Sequence, residues 1–141
     1  MGDIMALKRD AETILLVDDE SDLRDAYAEL LKDLGYRVRS EPDGFSALAF
    51  VKQGTRIDLV ITDYIMPNMN GLKFIKLLKA LRPSVPVIML TAFTTMENYA
   101  LARQLGAFEY VEKPVRMEEL RRVVEAALEA GRGRLREGAC T

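Results

Sequence analysis

The sequence predicts an α/β fold in which helices cover both faces of a doubly wound parallel sheet. Short apolar runs alternate along the chain with amphipathic stretches whose apolar residues recur every three or four positions. Five such strand–helix units follow one another, and repeated units of this kind build parallel sheets. Four glycines stand where helices should end, which supports the same division of the chain: Gly35, Gly54, Gly106 and Gly131.

The first two units span residues 13–54. The apolar run 13–17 predicts a strand. The helix after it carries apolar side chains at helical spacing, namely Leu23, Ala26, Tyr27, Leu30, Leu31 and Leu34. Residues 36–40 alternate in polarity and predict a second strand, and Asp43 is the predicted N-cap of the second helix.

The third unit begins with an apolar strand at 57–62, and Asn70 is the predicted N-cap of its helix. That helix must end near Arg82, because a proline follows it. The fourth strand is predicted at 87–90. Thr94 and Glu97 have the spacing of a capping box, so the fourth helix is expected to begin there.

The last unit consists of a predicted strand at 108–112 and a helix that is expected to end at Gly131. The folded domain is therefore predicted to span residues 12–131. Residues 1–11 and the Gly- and Arg-rich residues 132–141 are predicted to be flexible, the latter as a tail or the start of a linker. A length of 141 residues leaves no room for a second domain.

The composition excludes several classes of function. The chain contains no histidine, which excludes Ser-His-Asp and Cys-His catalysis, zinc sites built on histidine and a histidine phosphocarrier. Its single cysteine, Cys140, cannot form an internal disulfide, so the fold does not depend on an oxidising compartment. A formal net charge of −2 gives no general reason to expect nucleic acid or a membrane surface as a partner.

The sequence also predicts a cytoplasmic location without a membrane partner. No apolar run approaches the roughly 20 residues of a membrane span, and the first residues lack the apolar region of a secretory signal. A run of arginines near the C-terminus is expected to form a solvated helix face, namely Arg116, Arg121, Arg122, Arg132, Arg134 and Arg136. Because no recognition motif accompanies them, we expect no direct binding of nucleic acid by this chain.

Polar residues that can carry chemistry stand at the ends of four predicted strands. Asp18 and Asp19 follow the first strand, and Asp63 follows the third. Thr91 ends the fourth strand and Lys113 follows the fifth. The functional crevice of an open α/β sheet lies beyond the carboxyl ends of its strands, so we expect these side chains to meet at one edge.

Three carboxylates that meet repel one another unless protons or a cation offset their charge. Oxygen ligands without histidine indicate a hard cation, with Mg²⁺ as the first candidate and Mn²⁺ as the alternative. Three carboxylates, one lysine and one Mg²⁺ sum to about zero formal charge. A phosphoryl group on one carboxylate would add about one negative charge. Thr91, Lys113 and a backbone N–H near Ala92 are the candidate donors to it.

Four segments at the ends of predicted strands are together highly specific. They are 14–20 (ILLVDDE), 63–71 (DYIMPNMNG), 90–92 (LTA) and 110–114 (YVEKP). In this order they resemble the receiver domain of two-component response regulators, over roughly residues 12–130. The resemblance implies a flavodoxin-like sheet of five parallel strands in the order 2-1-3-4-5, flanked by five helices.

The resemblance assigns Asp63 as the phosphoacceptor of a site that binds Mg²⁺. Asp19 is then a direct metal ligand, and Asp18 acts on the metal mainly through water. Asp63 and the backbone carbonyl of Ile65 complete the protein's share of the metal shell. The phosphoryl donor is the phosphohistidine of a histidine kinase or of a histidine phosphotransfer protein.

The resemblance places Thr91, Lys113 and the backbone at Ala92 on the phosphoryl oxygens. Tyr110 matches an aromatic residue that changes rotamer when the threonine moves toward the phosphoryl group, and the peptide bond before Pro114 is expected to be cis. Phosphorylation then changes the surface formed by helix 4, strand 5 and helix 5, which a downstream target protein reads. A homodimer that forms on phosphorylation is left open.

The leading interpretation is thus a signalling domain, not an enzyme, that accepts a phosphoryl group and loses it slowly. Three alternatives stay open. The chain could be the N-terminal module of a longer transcriptional regulator, or a receiver-like protein that binds partners without phosphorylation. It could also be a Mg²⁺-dependent aspartyl phosphatase of the haloacid-dehalogenase type, although that group has Asp-x-Asp after its first strand. Within the receiver interpretation, Ile65 and Phe93 are expected to shield the phosphoryl group from water.

Overall fold

A computed structural model describes residues 11–92 and 94–140, with side chains as far as Gly133. Most of the predicted flexible segment 1–11 and the predicted shielding residue Phe93 lie outside the described residues. The described chain contains five strands: β1 (Thr13–Val17), β2 (Arg37–Glu41), β3 (Leu59–Thr62), β4 (Val87–Thr91) and β5 (Glu109–Glu112). It contains five helices: α1 (Ser21–Asp33), α2 (Gly44–Lys52), α3 (Gly71–Leu81), α4 (Met96–Gln104) and α5 (Met117–Cys140).

The strands form one parallel sheet in the order β2-β1-β3-β4-β5, which confirms the predicted architecture. Side chains alternate between its faces, as the pleat of a strand requires. Leu15 and Val17 pack in the layer formed with α2, α3 and α4, whereas Ile14 and Leu16 pack in the layer formed with α1 and α5. Strands β1, β3 and β4 are therefore covered on both faces, which explains their continuous apolar sequences.

Two of the predicted helix starts are confirmed by their hydrogen bonds. The Asp43 carboxylate accepts from the Ser46 N–H at 2.7 Å, and the Asn70 side chain accepts from the Lys73 N–H at 2.9 Å. Helix α3 ends at Arg82 as its C-cap, as the following proline requires.

The predicted capping box at Thr94 is wrong by one residue. Thr95 is the N-cap of α4, and its hydroxyl accepts from the Asn98 N–H at 3.0 Å. The Thr94 hydroxyl instead donates to the Glu112 carboxylate at 3.1 Å. A long-range contact across to β5 therefore decides which of two adjacent threonines caps the helix.

The predicted end of the last helix at Gly131 is also wrong, because α5 continues to Cys140. Gly35, Gly54 and Gly106 have positive φ angles of 103°, 84° and 109°, which L-residues with side chains rarely adopt. Gly131 does not share this conformation. A Cβ atom there would lie 3.2 Å from the Pro86 ring, so this glycine allows a close approach within the helix.

Three strands begin later than predicted, among them β5, which begins at Glu109 instead of residue 108. Strand β2 covers Arg37–Glu41 instead of 36–40, because the Tyr36 N–H still donates to the Leu31 carbonyl of α1, at 3.2 Å. Strand β3 begins at Leu59, two residues after the predicted start. None of the helices in the described part of the chain combines the length and the apolar character of a membrane span.

Candidate functional site

The candidate site lies at the carboxyl ends of the strands, where the order of the sheet places β1 between β2 and β3. Val17 and Thr62, the last residues of β1 and β3, pair in register, so Asp18 and Asp63 follow them side by side. The Asp63 N–H donates to the Val17 carbonyl at 3.1 Å. Two of the three predicted carboxylates are thus fixed by the backbone of adjacent strands.

Asp18, Asp19 and Asp63 form a compact cluster of carboxylates. One oxygen from each lies within 4.8 Å of the others. Asp18 and Asp63 are buried, whereas Asp19 is exposed. Like charges at this distance need a counter-charge, since burial in a low dielectric strengthens their repulsion.

Lys113 supplies part of that counter-charge from the end of β5. Its Nζ lies 2.6 Å from Asp18 Oδ2 and 2.9 Å from Asp63 Oδ2, and its side chain is only 6% exposed. Burial lowers the pKa of the Lys113 ammonium, but the hydrogen bonds with Asp18 and Asp63 outweigh burial and raise the pKa above its ordinary value. The ammonium is therefore charged and bridges the two carboxylates.

The backbone around Lys113 sets the direction from which its side chain reaches the carboxylates. The Lys113 N–H donates to the Thr91 carbonyl of β4 at 2.9 Å. The peptide bond between Lys113 and Pro114 is cis. Register pairs Thr91 with Glu112, so the end of β4 and the lysine reach the edge of the sheet together.

The second oxygens of the buried carboxylates are held by main-chain N–H groups. Asp63 Oδ1 accepts from Tyr64 at 2.6 Å and from Ile65 at 3.3 Å. Asp18 Oδ1 accepts from Glu20 at 3.0 Å. Among the described residues, none donates a hydrogen bond to the Asp19 carboxylate. Asp19 is therefore the carboxylate of the cluster that is open to an outside ligand.

A cavity of about 580 Å³ opens over this cluster. It brings together the predicted residues Asp19, Asp63, Ile65, Thr91, Ala92, Lys113 and Pro114. Thr91 is buried, whereas Ile65 is 55% exposed at the rim. The described geometry thus gathers a hydroxyl, an ammonium and several carboxylates around one solvent-accessible space.

Tyr110 does not line this cavity. It lies on β5 and packs against Tyr99 of α4, with the ring centroids 5.8 Å apart in an edge-to-face contact. Burial raises the pKa of the Tyr110 phenol, with smaller contributions from Tyr64 and the Asp63 carboxylate. The ring therefore lies within electrostatic range of the cluster, next to the loop that carries Thr94 and Thr95.

The sequence did not reveal two residues at the site. Tyr27 of α1 lines the cavity, and its ring centroid lies 6.0 Å from the Lys113 Nζ. Arg24 donates to the Asp18 carbonyl at 2.7 Å and so fixes the turn between β1 and α1. Tyr27 follows Leu23 at helical spacing, and this pattern predicted only packing for it.

The donor set fits a hard divalent cation. Three carboxylates against one ammonium leave two negative charges at the cluster. The ligand atoms within reach are oxygens, which Mg²⁺ prefers. The cavity leaves the exposed Asp19 accessible, so an ion can enter from solvent.

Comparison with known proteins agrees with this geometry. A family model described as "Response regulator receiver domain" matches residues 14–125. The DNA-binding transcriptional regulator NtrC of Azospirillum brasilense is 39% identical over 118 residues, which cover 84% of this chain and 24% of NtrC. ZraR of Salmonella typhimurium matches similarly, so this chain spans about a quarter of the length of these curated regulators.

Solved structures show the same fold. A receiver domain protein from Clostridium thermocellum is 33% identical, with a TM-score of 0.81, and the alignment covers 88% of this chain and 98% of that one. NtrX from Brucella abortus, solved in complex with ADP, is 32% identical with a TM-score of 0.87, over 93% of this chain and 30% of NtrX. With the family match extending over residues 14–125, the chain belongs to the response regulator receiver domain family of two-component systems.

Proposed function

We propose that this domain accepts a phosphoryl group on Asp63 from the phosphohistidine of a histidine kinase or a histidine phosphotransfer protein. The observation that carries the proposal is the cluster itself. Asp63 shares the buried Lys113 ammonium with Asp18, and all three carboxylates lie within 4.8 Å of one another beneath an open cavity. Membership of the receiver family supports the same assignment.

Mg²⁺ is the proposed cofactor, with Mn²⁺ as the alternative. Asp19, Asp63 and the Ile65 carbonyl would hold the ion, and Asp18 would act on it through water. The hydrogen bonds support Asp19 as a direct ligand, because it accepts none from the described residues, whereas both oxygens of Asp18 and of Asp63 are engaged. When bound, the ion offsets the carboxylate charge and that of the incoming phosphoryl group.

The transfer makes only one new bond to the protein, at Asp63. An Asp63 oxygen forms a bond to phosphorus while the bond from phosphorus to the donor's imidazole nitrogen breaks, and the imidazole keeps that electron pair. Because such transition states are stabilised by in-line placement and charge compensation, the task of the site is to hold Asp63 still. The N–H groups of Tyr64 and Ile65 do this at one oxygen, and Lys113 does it at the other.

The phosphorylated site is more negative by about one charge, so its donors must rearrange. Lys113 would follow the phosphoryl oxygens, joined by the Thr91 hydroxyl and the Ala92 N–H. The backbone of Thr91 leads directly into the loop before α4, so its movement would free space for the Tyr110 ring to change rotamer. The equilibrium between two conformations of the surface formed by α4, β5 and α5 would then shift. This shift is the signal.

The domain is proposed to act as a signalling module and not as a multiple-turnover enzyme. Water slowly hydrolyses the acyl phosphate and returns Asp63 to its free form. The similarity to NtrC supports a transcriptional effector, on the same polypeptide or on a separate one. A homodimer formed on phosphorylation and a cytoplasmic location stay predictions.

Labelling with a small phosphodonor tests this proposal. Acetyl phosphate with Mg²⁺ is expected to add one phosphoryl group to the wild-type protein and none to Asp63→Asn, with labelling dependent on the ion. Asp43→Asn is the matched control. Asp43 is also a carboxylate at the carboxyl edge of the sheet, and asparagine preserves its role as an N-cap.

Labelling that persists in Asp63→Asn would refute the assignment of the phosphoacceptor. Repeated turnover of a phosphate ester by the wild-type protein, with Asp63 required, would favour the aspartyl phosphatase instead. Absence of labelling in both the wild type and Asp43→Asn would favour a receiver-like protein that works without phosphorylation.

A further inference from the structure

Tyr27 carries a hydroxyl on a helix face whose other buried residues are apolar. It belongs to the buried face of α1 together with Ala28 and Leu31, and only 6% of it is exposed. Its ring packs in the apolar layer formed with α5. The same residue lines the cavity over the carboxylate cluster, and its ring centroid lies 6.0 Å from the Lys113 Nζ.

The Tyr27 hydroxyl has no hydrogen-bond partner among the described residues. Yet no fully buried side-chain oxygen in the described part of the chain lacks a partner. The hydroxyl must therefore reach the solvent of the cavity, although the residue is more than nine-tenths buried. A phenylalanine would fill the same apolar space without the cost of removing a hydroxyl from bulk water, so packing alone does not account for the oxygen.

We propose that Tyr27 is a further phosphoryl-binding residue, whose hydroxyl donates to an oxygen of the phosphoryl group when the cavity is occupied. This inference rests on the proposed phosphorylation of Asp63. The phosphoryl group would stand beside the Asp63 oxygen that lies 2.9 Å from Lys113, and Asp63, Lys113 and Tyr27 all line the same cavity. The hydroxyl is thus a donor already placed at the edge of the space that the anion enters.

The charge of the occupied site explains why such a donor is useful. In the unphosphorylated protein the Lys113 ammonium is shared between Asp18 and Asp63. A phosphoryl group brings oxygens that all accept hydrogen bonds, and the ammonium cannot serve them all while it still holds a carboxylate. A neutral hydroxyl adds a hydrogen bond to the anion without repelling a bound cation.

Beryllofluoride binds aspartate as a mimic of the phosphoryl group. Its binding to variants of Tyr27 distinguishes the role of the hydroxyl from the role of the ring. Titrated at saturating Mg²⁺ and followed by ¹⁹F NMR, the wild-type protein is expected to bind it. Tyr27→Phe is expected to bind it about tenfold more weakly, because a hydrogen bond to a charged group is lost. The affinity for Mg²⁺ alone is expected to stay within about twofold of wild type, since the carboxylates are untouched.

Tyr36→Phe is the matched control. Tyr36 is partly buried against the same apolar layer but lies beyond the C-terminus of α1 and is not among the residues that line the cavity. Its variant should bind beryllofluoride as the wild type does. Tyr27→Leu removes both ring and hydroxyl and should be no better than Tyr27→Phe.

Equal affinities of the wild type and Tyr27→Phe for beryllofluoride would overturn the proposal. So would normal binding by Tyr27→Phe with weak binding by Tyr27→Leu, because the ring alone would then matter. A matching loss of affinity for Mg²⁺ alone would also count against it, since the effect would arise at the carboxylates. If the wild type neither binds beryllofluoride nor is labelled by acetyl phosphate, the proposed function fails first, and this inference fails with it.

Discussion

Replacing Lys113 by methionine is expected to destabilise the unliganded protein strongly. Methionine keeps most of the apolar stem of a side chain that is 6% exposed, but it removes the ammonium that lies 2.6 Å and 2.9 Å from two carboxylate oxygens. Breaking a buried ion pair by removing one partner costs about 3–5 kcal/mol. A domain of this size has a free energy of unfolding of about 5–15 kcal/mol, so the variant should fold but should be much less stable.

Mg²⁺ is expected to restore part of this loss. The cluster in Lys113→Met holds three carboxylates without an ammonium, so its attraction for a divalent cation is greater. We expect Mg²⁺ to bind about tenfold more tightly, or more, than in the wild type. At Mg²⁺ concentrations above both dissociation constants, the gain in stability should then exceed that of the wild type by about 1.4 kcal/mol.

Urea denaturation with and without Mg²⁺ measures both effects. Without the ion, the midpoint of Lys113→Met should fall by about 2 M relative to the wild type. Lys73→Met, on the exposed face of α3, is the control and should unfold as the wild type does. A midpoint for Lys113→Met equal to that of the wild type, or a Mg²⁺-dependent gain no larger than in the wild type, would refute the bridging role of Lys113.

Three further predictions follow from the geometry. Gly71→Ala should lose about 1–3 kcal/mol of stability and most of its labelling by acetyl phosphate, because the new Cβ would lie 2.4 Å from the Asp63 carbonyl oxygen. Thr95→Ala should lose about 1 kcal/mol, measured by urea denaturation, because it removes the N-cap of α4. The pKa of Lys113 is raised in the folded state, so its stabilisation is complete below its ordinary pKa of 10.5 and disappears as the pH rises through the higher folded value. The difference in urea midpoint between the wild type and Lys113→Met should therefore shrink in that alkaline range.

The two substitutions have matched controls, and the pH dependence has an outcome that would contradict it. Gly133→Ala places a Cβ in open space within α5 and should gain up to about 1 kcal/mol, so a loss as large as that of Gly71→Ala would contradict the clash argument. Thr94→Ala should cost less than Thr95→Ala, and the reverse order would restore Thr94 as the cap. A difference between the wild type and Lys113→Met that grows at alkaline pH would mean that the ammonium does not stabilise the fold.

The elements of the fold were predictable because their signals are local. Apolar runs mark the strands, and the caps at Asp43 and Asn70 form hydrogen bonds within three residues of the chain. The errors occur where distant contacts decide. Glu112 takes the hydroxyl of Thr94 and leaves Thr95 to cap α4, and Pro86 packs against Gly131 within a helix that continues. Neither contact is visible in the local sequence.

The composition of the site was predictable for a topological reason. Parallel strands bring their carboxyl ends to one edge, so residues that follow β1, β3 and β5 must meet there. The pairing of Lys113 with Asp18 as well as Asp63 was not predictable, because it depends on side-chain distances across three strands. The helical spacing of Tyr27 predicts only packing, since such spacing reports a buried face and not what a hydroxyl on that face contacts.

Mapping the phosphorylated residue is the sharpest test of whether Asp63 is the phosphoacceptor. The protein is incubated with acetyl phosphate and Mg²⁺, the acyl phosphate is reduced with borohydride, and the modified residue is located by peptide mass spectrometry. We expect homoserine at position 63 alone, with none formed when the ion is chelated. Modification at Asp18, Asp19 or an acidic residue outside the cluster, with position 63 unchanged, would contradict it.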